Sequence, residues 1–171
     1  MNRASRVRAT AKRRARILGG VACRPADAWL ALRMLGWRLV LPVLKRALPL
    51  PRLVRLMWAG PGPGAPPSGR LARIAELARI VYRSQHHSRA GNCLERSLVL
   101  YRYLSAAGAD PQLLVGLRPD GAAPRGHAWV TVNGVEIEEP PEALEGLARV
   151  VAFGDGGSRA EASPARVGQR L

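Results

Sequence analysis

Two residues of this chain have the types and the order that thiol chemistry requires. Cys93 follows Asn92 at the start of a helical pattern, and His127 begins a strand-like segment 34 positions later (127 − 93 = 34). A cysteine becomes an effective nucleophile when a neighbouring histidine takes its proton. If the two side chains meet in space, the chain is a cysteine hydrolase or an acyltransferase.

The residues around Cys93 predict the N-terminus of a helix. Asn92 is suited to the N-cap, and Glu95 stands three positions later in a capping-box pattern, so Cys93 takes the first helical position. There the positive end of the helix favours a thiolate, and the free backbone amides can stabilise an oxyanion. The alternative interpretation is that Cys93 is a small buried core residue. His127 is the reason that we favour catalysis.

A β-hairpin is predicted after His127, and it offers the histidine a carboxylate. The strand that begins at His127 turns at Asn133-Gly134 and returns antiparallel. A two-residue turn places His127 diagonal to Glu138, whereas a three-residue turn places it directly opposite Glu139. A carboxylate at either position would fix the tautomer of the imidazole and support the imidazolium. The alternative is that the acidic run is a solvated edge.

The elements that must position these residues are predicted from hydrophobic periodicity and from turn residues. The fold class is α+β: a helix that carries Cys93 packs on a small antiparallel sheet that carries His127, after N-terminal helices. Pro42 is expected to disturb the first helix and to leave a second short one over Val43 to Ala47. The predicted segments are a basic disordered tail (1–24), Arg-rich amphipathic helices (25–58), a Pro/Gly linker (59–69), the catalytic domain (70–153) and a disordered tail (154–171).

Length, net charge and aromatic content limit the kinds of partner that this chain can have. The 171 residues suffice for one domain with an extension, and the net charge of +15 comes almost entirely from arginine. Acidic peptides, nucleic acids and membrane surfaces are all compatible with that charge. An aromatic content of 5% and the absence of a nucleic-acid-binding motif argue against nucleic acid.

Cysteine and histidine usage predicts the compartment and the cofactors. Two cysteines, Cys23 and Cys93, do not make a disulfide framework, which favours a reduced, cytoplasmic setting. The pair His86-His87 has no partners at ligand spacing, so neither a metal nor another cofactor is expected. The Arg-rich helices could lie on a membrane surface, but we expect them to pack on the catalytic domain, because prolines interrupt a long continuous face.

Taken together, these residues resemble a known family. The segments Cys-Leu-Glu-Arg-Ser-Leu (93–98), Leu-Leu-Val-Gly-Leu (113–117) and Gly-His-Ala-Trp-Val (126–130), followed by a Gly-centred turn, are similar to the transglutaminase-like leader peptidases of lasso peptide biosynthesis. The resemblance extends from Leu71 to Pro141. It implies a papain-like fold and a triad of Cys93 as nucleophile, His127 as base and Glu139 as acid. Glu139 stands twelve positions after the histidine (139 − 127 = 12), where the family has Asp.

The resemblance also implies a function and partners. The expected reaction is removal of the leader peptide from a ribosomally made lasso peptide precursor. The expected partners are the leader region of the precursor, a separate leader-recognition protein and, as a further candidate, the lasso cyclase. Two alternatives are a transglutaminase-like acyltransferase that uses an amine as acceptor, and a non-catalytic basic binding module.

Overall fold

The computed structural model describes residues 25–67, 69–82, 92–118 and 125–160. The basic segment 1–24 with Cys23, the pair His86-His87 and the C-terminal residues 161–171 lie outside the described residues. The helices are α1 (Pro25–Ala47), α2 (Leu50–Met57), α3 (Arg70–Tyr82), α4 (Cys93–Ala106) and α5 (Pro141–Leu144). The strands are β1 (Pro111–Arg118), β2 (Arg125–Val132), β3 (Val135–Glu136), β4 (Ala148–Phe153) and β5 (Arg159–Ala160).

The architecture is α+β, as the sequence predicts. The strands form one antiparallel sheet in the order β3-β2-β1-β4-β5. Alternate residues of β2 face opposite sides of it. Val130 and Val132 belong to the main core with the helices, whereas Trp129 packs with Leu114 and Ala152 in a smaller cluster on the other face.

The N-terminal helices share the core of the sheet domain. Met34 and Leu41 of α1 and Leu53 and Met57 of α2 are completely buried, in one cluster with residues of α3, α4 and the sheet. Two ion pairs reinforce this packing: Lys45 of α1 binds Glu95 of α4, and Arg73 of α3 binds Asp27 of α1. These helices therefore pack on the rest of the chain, α1 through one of its sides only, and the core does not stop at the predicted domain boundary at residue 70.

The Pro/Gly segment also lies against the domain. The amide of Gly62 donates to the carbonyl oxygen of Ser105 at 3.1 Å, near the end of α4. A Cβ on Gly108 would overlap the carbonyl oxygen of Gly64, so this close approach of two backbones requires glycine. The segment is thus packed on α4 along part of its length and does not act there as a free linker.

Pro42 does not interrupt the first helix, and the prediction of a separate short helix was wrong. Helix α1 runs through Pro42 to Ala47. A proline inside a helix costs about 3 kcal/mol. The fully buried Leu41 and the half-buried Leu44 flank it and hold both halves of α1 on the core, which accounts for the continuity.

The C-terminal segment is ordered further than predicted. The disordered tail was expected from residue 154, yet Asp155–Gly157 form a 3-10 turn and Arg159–Ala160 pair with β4. The phenol of Tyr101, which is completely buried in α4, donates to the carbonyl oxygen of Gly154 and accepts the amide of Gly157. Small polar residues suggested a tail, but these buried hydrogen bonds to α4 fix the segment.

Candidate active site

The helix that carries the candidate nucleophile begins at the predicted residue. Cys93 is the first residue of α4 and is half-buried. The capping box predicted around it does not form: the side chain of Asn92 makes no cap hydrogen bond, and Glu95 instead accepts from Nζ of Lys45 at 2.7 Å. Because Glu95 is buried, its carboxylate is better satisfied by a cation of α1 than by a backbone amide.

Ser97 joins this helix to the histidine strand. Its hydroxyl donates to the carbonyl oxygen of Ala128 at 2.8 Å, and both residues are buried. Residues four apart lie on the same side of a helix, so Cys93 and Ser97 share a face of α4. This face is therefore directed toward β2 at the residue next to His127.

The hairpin turn is the two-residue type. Val132 pairs with Val135, and the residues between them, Asn133 and Gly134, have φ values of 53° and 79°. Positive φ at both central residues is characteristic of a type I′ turn, which favours Asn-Gly. The alternative prediction of a three-residue turn, which would bring Glu139 directly opposite His127, was therefore wrong.

Glu139 nevertheless reaches His127, through a kink that the sequence did not predict. The amide of Ile137 still donates to the carbonyl oxygen of Val130 at 2.9 Å, so the register holds to that point. A regular continuation would place Glu139 opposite Ala128, with its side chain on the other face from His127. Glu138 instead has a φ of 56°, in the left-handed region, and the chain changes direction there.

The contact that results is direct. Oε2 of Glu139 lies 3.1 Å from Nε2 of His127. The side chain of Glu139 is only 3% exposed, whereas that of His127 is 23% exposed. The imidazole also stacks on the indole of Trp129, with ring centres 6.1 Å apart and planes at 17°. When Nε2–H donates to the carboxylate, Nδ1 is left as the basic nitrogen.

Glu138, the other candidate acid, is turned away from the histidine. Its Oε2 lies 3.2 Å from Nε of Arg79 on α3, in a pair that is about one-third exposed on both sides. The structure thus brings His127 together with Glu139 and places Glu138 in a surface ion pair.

Arg96 is a member of the site that sequence reasoning did not single out. Its Nη2 binds Oε1 of Glu139, the carboxylate oxygen that does not face His127. Arg96 stands three residues after Cys93 on α4, so it connects the start of the cysteine helix to the acid of the hairpin. That three-residue spacing from the cysteine is the sequence signal that could have identified it.

The electrostatic environment keeps the imidazole neutral. Burial lowers the pKa of His127 below its ordinary value of 6.5, and the cations of Arg96 and Arg118 lower it further. The pKa of Arg96 is itself lowered, mainly by burial, while the nearby Cys93 and Glu138 act in the opposite direction. A neutral histidine at neutral pH can accept a proton from a thiol.

The described residues contain no group of three or more His, Cys, Asp or Glu side chains that could hold a metal ion. The chemistry that they can support is acid–base and nucleophilic. They offer a thiol at a helix N-terminus, a neutral imidazole held by a buried carboxylate, and a guanidinium that binds the same carboxylate.

Comparison with known proteins assigns the sequence to a family. The family model described as the transglutaminase-like superfamily matches residues 31–152, more than two-thirds of the chain. The match begins within α1 and ends in β4, so it includes the N-terminal helices as well as the Cys93 helix and the hairpin. No curated protein and no solved structure matches the chain.

Proposed function

This chain belongs to the transglutaminase-like superfamily, and from that premise we propose that it is a cysteine peptidase that removes the leader from a lasso peptide precursor. The superfamily includes cysteine peptidases. The observation that carries the catalytic part of the proposal is the buried carboxylate of Glu139 on Nε2 of His127. The segments 93–98, 113–117 and 126–130, with their resemblance to lasso leader peptidases, carry the substrate class.

Cys93 is the proposed nucleophile. Ser97 directs the Cys93 face of α4 toward the strand of His127, and Arg96 connects the same helix turn to Glu139. The thiol proton passes to Nδ1 of His127 as Sγ attacks the carbonyl carbon of the peptide bond between leader and core. Backbone amides at the start of α4 are suited to hold the oxygen anion that forms.

The tetrahedral intermediate collapses to a thioester with the leader. The C–N bond breaks, and the imidazolium returns its proton to the amine of the released core peptide. His127 then takes a proton from water, the hydroxide attacks the thioester, and the leader leaves with a carboxyl terminus while Cys93 recovers its proton. Glu139 holds the tautomer that leaves Nδ1 basic and stabilises the imidazolium in both halves of the cycle.

The proposed partners come from the same resemblance as the substrate class. Besides the leader region of the precursor, we propose that a leader-recognition protein presents the leader to this chain. The freed amine of the core is the group that a cyclase would join to a side-chain carboxylate.

The test is mass spectrometry of a precursor peptide incubated with this protein and a leader-recognition protein. We expect the wild type to release the leader, Cys93→Ala to release none, and the control Cys23→Ala to behave as the wild type. Cleavage by Cys93→Ala would refute the mechanism. A product in which the leader carbonyl is joined to an added amine would identify an acyltransferase instead.

The proposed role of Glu139 can be tested with a matched pair of variants, because Glu138 is the adjacent residue. Glu139→Gln removes the charge that supports the imidazolium and can present its amide NH₂ to Nε2, so we expect kcat/KM to fall by about 10²–10⁴-fold. Glu138→Gln removes the surface pair with Arg79 and a charge near Arg96 but no contact with His127, and we expect a change of less than about threefold. Equal effects of the two variants would contradict the assignment of Glu139.

A further inference from the structure

Helix α1 exposes a continuous apolar face that the core does not use. Trp29, Leu32, Leu39 and Val43, with Gly36 between them, succeed one another at intervals of three and four residues, which places them on one side of the helix. Leu39 is 78% exposed, Val43 65% and Trp29 62%. A Cβ at Gly36 would have no heavy atom within 4 Å, so the middle of this face is open.

This face is larger than isolated surface leucines would explain. From Trp29 to Val43 it extends for about 21 Å along the helix. The opposite side of α1 is already committed to the core through Met34 and Leu41, which are completely buried. Extended apolar surfaces of this kind on a folded domain mark sites of contact with a protein or a membrane.

Charge indicates which kind of partner fits the face. Residues 1–58 contain fourteen Lys or Arg and one acid, Asp27, so this part of the sequence supplies +13 of the net charge of +15. Asp27 is buried and bound to Nε of Arg73 at 3.0 Å, which removes it from the surface. Arg33 and Arg46 are exposed and stand one and three residues after Leu32 and Val43.

An apolar helix face with adjacent positive charge provides the two signals that reversible attachment to anionic lipid requires. No described helix is long and apolar enough to cross a membrane. We propose that α1 is an in-plane docking surface by which this protein binds the headgroup region of an anionic lipid bilayer. The apolar side chains enter the interface, and the arginines contact lipid phosphates. This inference does not depend on the peptidase activity.

The test is flotation of the full chain with vesicles of phosphatidylcholine alone and with vesicles that also contain phosphatidylglycerol. We expect binding to the anionic vesicles only, weakened by added salt. Leu39→Glu places a charge in the middle of the face and should weaken binding by about tenfold or more, because one embedded leucine is lost. Leu117→Glu, at an exposed leucine of β1, is the matched control and should leave binding unchanged.

Circular dichroism and thermal unfolding of both variants show whether each one is folded. Failure of the wild type to bind anionic vesicles, or equal binding by folded Leu39→Glu, would overturn the proposal. If the wild type does not bind vesicles but forms a dimer, and Leu39→Glu dissociates that dimer, the face is an interface between two copies. If it ignores vesicles and Leu39→Glu loses a protein partner instead, the face belongs to that partner.

Discussion

The hydrogen bond from Ser97 to Ala128 couples the cysteine helix to the histidine strand, so its removal should affect both stability and catalysis. Ser97→Ala deletes the donor of a 2.8 Å hydrogen bond between two residues that are at most 2% exposed. The carbonyl oxygen of Ala128 then loses its donor in a place that water hardly reaches. The cost of a buried unsatisfied group is about 1–3 kcal/mol.

The assay is urea unfolding of the wild type and the variant, followed by the leader-cleavage rate. We expect the free energy of unfolding to fall by about 1–3 kcal/mol. If the proposed peptidase mechanism holds, a displacement of α4 by about 1 Å would also lower cleavage by about 10²-fold, because it would disturb the proposed alignment of the thiol with the imidazole.

Ser105→Ala is the matched control, since Ser105 is equally buried in the same helix. Its hydroxyl donates at 2.9 Å to the backbone carbonyl oxygen of Arg102 in α4 itself. That oxygen keeps its helical amide partner after the substitution. We expect a loss of less than about 1 kcal/mol and an unchanged cleavage rate. Equal losses in the two variants, or full cleavage by Ser97→Ala, would refute the coupling.

Three further predictions concern the pH profile and the C-terminal turn. Burial and nearby cations lower the pKa of His127 below 6.5, and the neutral imidazole is the proposed base, so the acid limb of the kcat/KM profile should have its midpoint below pH 6.5. A pH–rate profile measures this, and a midpoint above 6.5 would contradict it. Arg96→Met removes one of the cations that lower this pKa, so the acid limb should move to higher pH, and an unmoved limb would exclude Arg96 from the electrostatics of the site. Gly157→Ala should lower the melting temperature far more than Gly156→Ala. Both glycines have positive φ, but only at Gly157 would a Cβ lie 2.8 Å from backbone atoms of Arg55. Similar melting temperatures of the two variants would show that this packing is loose.

The parts of the fold that the sequence predicted correctly depend on local patterns. Cys93 starts a helix, the strand of His127 is followed by a turn at Asn133-Gly134, and the Leu71 to Tyr82 pattern is a helix with one more residue at its start. In each case the chain carries the local signal itself: helical periodicity, alternation or an Asn-Gly pair.

The parts that were missed depend on contacts between distant residues. Glu95 binds Lys45, 50 residues away, and so leaves the capping box that its own neighbours suggest. The kink at Glu138 has no local signal, because glutamate rarely adopts positive φ. The hairpin that would have placed Glu139 opposite His127 needs a three-residue turn that does not form, so the family position alone pointed to the residue that contacts His127.

Because the backbone at Glu138 is left-handed, positions 138 and 139 should tolerate different kinds of substitution. At 139 a substitution is judged by its charge and reach, because the side chain binds His127 and Arg96. At position 138 the effect of a substitution depends on whether the new residue can adopt positive φ. Gly, Asn and Asp do so easily, whereas Val and Ile do not. Saturation mutagenesis of this pair should therefore give two dissimilar tolerance patterns, and Glu138→Val should abolish the proposed activity without removing any group that is proposed to transfer a proton.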